Sequence, residues 1–528
     1  MRLSSFRRAT PTGHVGPASG GARRGASLFL VVLAALLVGA AAVLSAGWPG
    51  GGQVRVGSNV VVSPNDSRQL VTARNSPTLV RNPTRSANLV VVDRVDRPGY
   101  SAELNSSMDG GRTWRHLTLP LPAGRDRPYA PDAAFGPDGT LYVSYVNLEG
   151  TGNDPQTLWL AHSMDGGATL SAPVRVADHL VFQSRLAVGP DRTVYLTWLQ
   201  GSEVGYLSLV GAPAPVVLVR STDGGRTFSP PIPVSDANRP RVGAASPMVG
   251  SDGSVFVLYE DFKNDVRDFE NLAGPVWDSP LALVIARSGD GGRSFASGVV
   301  VDPGVLPTAR FLVYQPPFPS LAGGPGRSLD VSWSDARDGN PDVYLRRSVD
   351  DGSSWSAPVR VDGRRVDGTR KELPKVTIAP DGRVDVVFLE DKADAGGQRL
   401  SAELATSTDQ GASFTRMRLS SRSFDPTVGP RTGPAYLGTD LGSRLGLVSS
   451  DHAAAVAWTD TRQGNQDTGR QDIESAAVTG LSDGVIGRLV LAGGLVVAAF
   501  LAMATRWWIR HVRLVSSSAG TASGGGQG

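Results

Sequence analysis

The motif SMDGGRTW, residues 107–114, is followed by five near-copies further along the chain. The copies are SMDGGATL (163–170), STDGGRTF (221–228), SGDGGRSF (288–295), SVDDGSSW (348–355) and STDQGASF (407–414). Their spacing is about 55 to 65 residues. A regular period of this size indicates a repeat architecture, so the repeat is interpreted before any single residue.

Each repeat contains the same series of short apolar segments. A turn such as GPDG (136–139) precedes an alternating segment such as LYVSY (141–145). A third segment, LWLAHS (158–163), leads into the motif, and a fourth, APVRVA (172–177), follows it. Four short strands joined by Gly- and Asp-rich turns are the pattern of a β-propeller blade.

The motif lies between the third and fourth strands, and its residue types suit a turn. Aspartate accepts hydrogen bonds from nearby backbone N–H groups and hydroxyls, and glycine supplies the positive φ. The final Trp or Phe can fill the gap between neighbouring sheets. The motif is therefore expected to be structural, with the aspartates Asp109, Asp165, Asp223, Asp290, Asp350 and Asp409 holding the turns.

The number of blades follows from a seventh unit that lacks the motif. Residues 443–478 supply three strands and then stop. The missing fourth strand is found in QVRVGSNVVV (53–62), which matches the PVRV pattern of other units. An N-terminal strand that completes the last blade would close the ring and remove a free edge. Seven blades are favoured, with six as the alternative.

The pattern S-x-D-x-G-x-[ST]-[WF] resembles the Asp box of the sialidase (neuraminidase) superfamily, and the resemblance covers roughly residues 53 to 478. It implies an all-β, sialidase-like propeller, although true sialidases have six blades. In that family the boxes lie on the face away from the substrate. The resemblance therefore places any functional site on the opposite face, where the second-to-third loops and the inter-blade connections lie.

Two apolar segments flank the repeats, each next to a cluster of arginines. Apolar segments of this length can span a membrane, and arginines stay on the cytoplasmic side. The first segment is interpreted as a signal anchor, with a cleaved signal peptide as the alternative. The expected order is a basic cytoplasmic N-terminus (1–25), a transmembrane segment (26–46), a linker (47–52), an extracytoplasmic propeller (53–478), a second transmembrane helix (484–505) and a cytoplasmic tail (506–528).

Composition excludes several function classes. The chain has 52 basic and 49 acidic residues, but nine arginines and one aspartate lie outside residues 53–478. The predicted propeller thus has a net charge of −5, which argues against nucleic acid as its partner. The chain has no cysteine, so thiolate metal sites and cysteine nucleophiles are excluded.

The candidate site residues lie where the second strands end. Five of the seven aligned positions are carboxylates, and two blades continue into similar loops, WSDARDGNPD (333–342) and WTDTRQGNQD (458–467). These residues could form ion pairs between loops, act as general acid and base, or bind calcium through oxygen ligands. No cofactor is expected, and no ligand spacing supports calcium. The candidate catalytic residues are Asp261, Asp335, Glu390 and Asp460.

The sialidase resemblance implies three arginines that bind the substrate carboxylate, and a tyrosine nucleophile paired with a glutamate. The chain lacks the family's [FY]-R-I-P motif. Arg185 and Arg310 begin strands on the expected site face, and Tyr314 and Glu260 are candidates for the pair. The candidate substrate-binding residues are Arg185, Arg310, Tyr314, Arg337 and Arg462.

Two functions remain open at this point. One is a membrane-anchored glycoside hydrolase of the sialidase type that acts on surface or environmental glycans. The other is a non-catalytic propeller that binds a carbohydrate or protein ligand on the same face, as a receptor, adhesin or scaffold. Membrane anchoring is compatible with both.

Overall fold

The structure is a computed structural model. It describes residues 53–63, 71–151, 153–201, 214–263, 279–308, 318–362, 368–394, 397–430 and 440–481. Both apolar segments, 26–46 and 484–505, lie outside these ranges. Within the described residues, no helix is long and apolar enough to span a lipid bilayer.

The described residues form short β-strands in seven antiparallel sheets. Two strands, β1 (Arg55–Val56) and β2 (Val60–Val61), come first. Blades 1 to 3 follow, with β3 (Ala73–Arg81), β4 (Leu89–Arg97), β5 (Ser101–Ser107) and β6 (Arg115–Thr118); β7 (Pro128–Phe135), β8 (Leu141–Glu149), β9 (Asp154–Ser163) and β10 (Val174–Asp178); β11 (Val181–Val188), β12 (Val194–Gln200), β13 (Val216–Ser221) and β14 (Ile232–Pro233).

Blades 4 to 7 repeat this order. Their strands are β15 (Val242–Val249), β16 (Val255–Asp261), β17 (Leu281–Ser288) and β18 (Val299–Val305); β19 (Ser320–Gly323), β20 (Leu329–Asp335), β21 (Asp342–Ser348) and β22 (Val359–Arg360); β23 (Thr369–Ile378), β24 (Val384–Asp394), β25 (Gly397–Ser407) and β26 (Thr415–Arg418); and β27 (Gly446–Ser450), β28 (Ala453–Asp460) and β29 (Asp472–Thr479). The seven-blade expectation is confirmed, and six blades is wrong.

Each motif forms the turn between the third and fourth strands of its blade, as Asp223 shows. Its Oδ1 accepts hydrogen bonds from Ser221 Oγ (2.7 Å) and from the backbone N–H of Thr227 (3.0 Å). Its Oδ2 accepts one from Thr227 Oγ1 (2.6 Å). These bonds stabilise the ionised carboxylate and lower the pKa of Asp223. We call the six turns box turns, and the face that carries them the box face.

The opposite face is called the upper face. Here the second strand connects to the third, and each blade connects to the next. In a propeller the first strand of every blade is innermost and begins at the upper face. The upper ends of the seven innermost strands therefore surround the mouth of a central channel.

The N-terminal strands close the ring by completing blade 7. Arg55 pairs with Thr479 in β29, and Val60 pairs with Ser475. Beyond the strands, Val62 N–H donates to the carbonyl of Ile473 (2.8 Å). The sheet order β1–β29–β28–β27 is thus the expected four-stranded blade built from both ends of the repeat region.

One cavity of about 290 Å³ lies along this closure, between blades 7 and 1. Apolar groups such as Leu79, Leu89 and Trp114 line it. Among its described lining residues, Arg112 is the only ionisable one. The cavity therefore marks a loosely packed seam and offers no acid–base pair for catalysis.

Deleting residues 53–62 should expose the edge of β29 and open the ring, because those residues supply its hydrogen-bond partners. We expect aggregation or rapid proteolysis of the variant at temperatures where the parent is intact, measured by limited proteolysis and size-exclusion chromatography. A control that lacks only residues 515–528 should behave like the parent. If the 53–62 deletion melts like the parent, ring closure by this strand is wrong.

Candidate functional site

The innermost strands share an irregularity near the upper face. In blade 1, Ser76 and Pro77 together lie opposite one residue of β4, because the register shifts between Asn75 and Thr78. The same shift occurs in the first strands of blades 2, 3, 4 and 6. Each bulge contains a non-glycine residue in the left-handed region, which is an uncommon conformation. These residues are Ser76, Ala130, Gln183, Ala244 and Leu373, with φ between 47° and 57°.

The bulge brings a polar residue into the channel two positions later. The corresponding tripeptides are SPT (76–78), APD (130–132), QSR (183–185), AAS (244–246), FPS (318–320), LPK (373–375) and, just before β27, GSR (442–444). Three of the last residues are cationic and one is a carboxylate. Because the inner strands face one another across the axis, these side chains from different blades come together.

Arg444 reaches from blade 7 across the closure to two other blades. Its Nε donates to Thr78 Oγ1 (2.8 Å), and its Nη2 donates to the carbonyl of Pro131 (2.5 Å). Burial lowers the pKa of Arg444, and the nearby Arg185 lowers it further. A guanidinium nevertheless stays charged at neutral pH because its ordinary pKa is so high.

Arg185, from blade 3, lies beside the one carboxylate of this group. Its Nε is 3.4 Å from Asp132 Oδ2, and its guanidinium lies over the ring of Phe318, 5.2 Å from the centroid. Within the described residues, neither Nε nor Nη1 of Arg185 makes a hydrogen bond, although both atoms are buried. Asp132 already accepts hydrogen bonds from Thr78 Oγ1 (3.0 Å) and from Leu186 N–H (2.8 Å). Arg185 therefore forms an ion pair with Asp132 but keeps two buried nitrogens, Nε and Nη1, that make no hydrogen bond within the described part of the chain.

Lys375, from blade 6, completes the group. Burial lowers its pKa to about 8, Arg185 and Arg444 add to that effect, and Asp132 partly offsets it. The electrostatic contacts of Lys375 thus join blades 2, 3, 6 and 7. We call Arg185, Lys375, Arg444 and Asp132 the channel cluster. Its three cations and one carboxylate give it an excess of positive charge.

The predicted catalytic carboxylates form a second set, each held by a basic side chain. Asp335 is fully buried and accepts hydrogen bonds from Arg337 Nε (2.7 Å) and Trp333 Nε1 (3.0 Å). The other pairs are Asp261 with Arg239 (2.5 Å), Glu390 with Lys392 (2.6 Å) and Arg416 (3.0 Å), and Asp460 with Arg462 (2.9 Å). No hydrogen bond or ion pair between described residues joins two of these four carboxylates.

These pairs also fix the loops that follow the second strands. The carboxylates of Asp261, Asp335 and Asp460 each accept the backbone N–H two residues later, as in an Asx turn. Burial opposes ionisation of Glu390, but Lys392 and Arg416 outweigh it and lower its pKa. Glu390 is therefore ionised at neutral pH, whereas a general acid has to hold its proton.

The predicted substrate-binding residues divide into three groups. Arg185 belongs to the channel cluster. Arg337 forms an ion pair with Asp335, and Arg462 forms one with Asp460. Arg462 also contacts Glu474 (3.3 Å). Arg310 and Tyr314 lie outside the described residues. Among described residues, no group of three or more His, Asp or Glu side chains is arranged to hold a metal ion.

Sequence reasoning missed Lys375, Arg444 and Asp132. The available signal was the proline that precedes the channel residue in SPT, APD, FPS and LPK at one position of the repeat. That repetition could have aligned the innermost strands in the way the GPDG turns and boxes aligned the rest.

One further carboxyl group differs from the paired ones. Glu260, next to Asp261 in β16, is buried and lies opposite Gly243 in the bulge of the inner strand. Burial raises its pKa to about 8. Glu260 is therefore mostly protonated at neutral pH, near the upper end of blade 4.

Solved structures similar to this chain are propellers of several activities. A protein of unknown function from Dyadobacter fermentans matches with 16% identity over 82% of this chain and 99% of its own, at a TM-score of 0.46. A Hadza microbial sialidase matches with 19% identity over 60% of this chain and 63% of its own, at a TM-score of 0.40. An ulvan lyase of polysaccharide lyase family 25 matches with 12% identity over 81% of this chain and 97% of its own, at a TM-score of 0.45. No protein-family model and no curated protein matches the chain.

The class of fold that the seven sheets define is a seven-bladed β-propeller. Identities this low leave the reaction open, since the same architecture carries different chemistries.

Replacing Asp335 with Asn should destabilise the protein, because it removes one of the two carboxylates paired with the partly buried Arg337 and leaves Asp302 as the other. The expected loss in free energy of unfolding is on the order of 2 kcal/mol, measured by urea denaturation. The control Asp178→Asn, which breaks the exposed pair with Arg175, should cost less than about 1 kcal/mol. Equal stabilities of the parent and Asp335→Asn would contradict a structural role for this pair.

Proposed function

We propose that this protein is a membrane-anchored, extracytoplasmic propeller that binds an acidic glycan through a carboxylate group in its central channel. The observation that carries the proposal is the positive excess of the channel cluster, where Arg185, Lys375 and Arg444 surround Asp132.

The cluster suits an anionic ligand for electrostatic reasons. Like charges held close together in a buried place raise one another's free energy, and an entering carboxylate relieves that cost. The two Arg185 nitrogens that make no hydrogen bond among the described residues can form charge-assisted hydrogen bonds to carboxylate oxygens, which are stronger than neutral ones. Its position over Phe318 restricts the direction in which those donors point. Sugars that carry such a group include sialic and uronic acids.

Location is proposed from the sequence. Eight of the nine arginines outside residues 53–478 lie beyond the apolar segments 26–46 and 484–505 on the side away from the propeller, and the ninth, Arg488, lies within the second segment. With those arginines in the cytoplasm, both termini are cytoplasmic and the propeller is outside.

A second candidate function is glycoside hydrolysis of the sialidase type. Glu260 favours it, because a carboxyl group with a pKa of about 8 can act as a general acid near neutral pH. Glu390 is less suited to that role, since Lys392 and Arg416 lower its pKa despite its burial.

Anion binding should depend on pH through Lys375. Its amine is charged below a pKa of about 8 and neutral above it, so affinity for N-acetylneuraminic acid should fall as pH rises from 7 to 9. Lys375→Met should bind several-fold more weakly at pH 7 and lose the pH dependence. Lys392→Ala removes an exposed lysine paired with Glu390 and should bind like the parent. Isothermal titration calorimetry measures all three.

The pH dependence of the free energy of unfolding tests the lowered pKa of Lys375 without a ligand. The pKa of Lys375 is lower in the folded chain than its ordinary 10.5, so the unfolded chain binds more protons between about pH 8 and 10.5. The parent should gain stability relative to Lys375→Met as pH rises through that window. The proposal would be contradicted if the difference in stability between the parent and Lys375→Met did not change with pH. It would also be contradicted if Lys375→Met bound the ligand as tightly as the parent does.

Hydrolysis is tested on a panel of aryl glycosides that includes a sialoside. If the protein is an enzyme, Glu260→Gln should abolish turnover while the melting temperature holds or rises, because it removes a group that is costly to ionise. If the parent cleaves none of these glycosides, the hydrolase function is contradicted. If Glu260→Gln is fully active, Glu260 is not the general acid.

A further inference from the structure

Blade 7 differs from the others at one corner of the box face. In the other blades a box turn joins the third strand to the fourth. In blade 7 the third strand, β29, ends at Thr479, and the fourth place is taken by β1, whose Arg55 pairs with Thr479. The chain therefore enters and leaves the propeller side by side, where a seventh box turn would stand.

The connections from this corner to the apolar segments are short. The linker 47–52 has six residues and spans at most about 20 Å when extended. On the other side Leu481 is buried, and its N–H donates to the carbonyl of His452 (3.1 Å). Only two residues separate Leu481 from residue 484, so this connection reaches about 10 Å.

We infer that the box face rests on the lipid headgroup surface of the anchoring membrane, with the mouth of the channel directed away from it. This inference rests on the membrane anchoring proposed above. Two short tethers at one corner bring the box face to the bilayer, and the upper face then lies a full strand length further out.

Exposed apolar side chains on the box face support this contact. Met164 is 84% exposed and Val349 67% exposed, and both occupy the second position of a box motif. Met108, at the same position in blade 1, and Val54 and Val56, beside the tethers, are exposed as well. On the upper face, Tyr100 and Val71 are the exposed large apolar residues among those described. Side chains such as methionine and valine can enter the headgroup region without a charged partner.

The box turns carry charges of both signs, so we expect the contact between the box face and the membrane to be insensitive to salt concentration. Arg112, Arg226 and Arg293 lie beside the box aspartates, so both signs are present on this face. Contact through apolar tips and tethers fits such a surface better than attraction to anionic lipid alone. The orientation also means that the channel cluster meets glycans outside the membrane rather than headgroups of its own bilayer.

The test uses the full chain in vesicles of phosphatidylethanolamine and phosphatidylglycerol that carry a headgroup-linked energy acceptor. Because the chain has no cysteine, one donor fluorophore can be placed at M164C in blade 2 or at V349C in blade 5. The matched control is T151C, at an exposed residue in the β8–β9 connection of the upper face. Energy transfer falls steeply with distance.

We expect loss of most donor emission at M164C and V349C and a several-fold smaller loss at T151C, unchanged when salt is raised. Equal losses at the three positions, a larger loss at T151C, or quenching at only one box position would overturn the face-down orientation. Co-flotation with the vesicles is scored first. A chain that does not float refutes the anchoring itself, and the orientation with it, whereas glycan binding is measured separately.

Discussion

The pairing of β1 and β2 with β29 is the constraint on which the rest of the structure depends. Without it blade 7 has three strands, and its outer edge is open. Closure brings blade 7 against blade 1, where Ser443 N–H donates to Ser76 Oγ (3.0 Å) and Arg444 reaches Thr78. The channel cluster therefore exists only in the closed ring. The same pairing places the first and the last strand of the propeller next to each other at one corner of the box face.

Two sets of charged residues near the upper face differ in how completely they are neutralised. The four predicted catalytic carboxylates each have a basic partner, and these pairs fix loops. The channel cluster has three cations for one carboxylate, and two buried nitrogens of Arg185 make no hydrogen bond to any residue that the structure describes. Such an arrangement lowers stability, and proteins retain it where a ligand completes it. This contrast is the reason why we propose the channel, rather than the better paired outer set, as the place for binding.

Much of the architecture could be predicted from the sequence, because box turns and alternating strands have strong local signatures. The unit 443–478 lacked one strand, and QVRVGSNVVV supplied it. The channel cluster was harder to predict. Its bulges place Ser76, Ala130 and Leu373 at positive φ, although these residue types do not signal that conformation as Gly or Asn does. Lys375 and Arg444 look like surface charges until ring closure brings distant blades together. Asp261, Asp335 and Asp460 end their strands as expected, whereas Glu390 lies within β24. The pairs of Asp261 with Arg239 and of Glu390 with Arg416 join residues that the sequence pattern does not connect.

The most direct test of the central claim is calorimetric titration of the full chain with N-acetylneuraminic acid and with its methyl ester, in which a methyl group replaces the negative charge of the carboxylate. If the channel cluster binds that charge, the acid binds and the ester binds at least tenfold more weakly, a difference of about 1.4 kcal/mol. With Arg444→Met, the two compounds should bind alike. Equal affinity of the parent for the acid and the ester, or no binding of either one, would contradict the account.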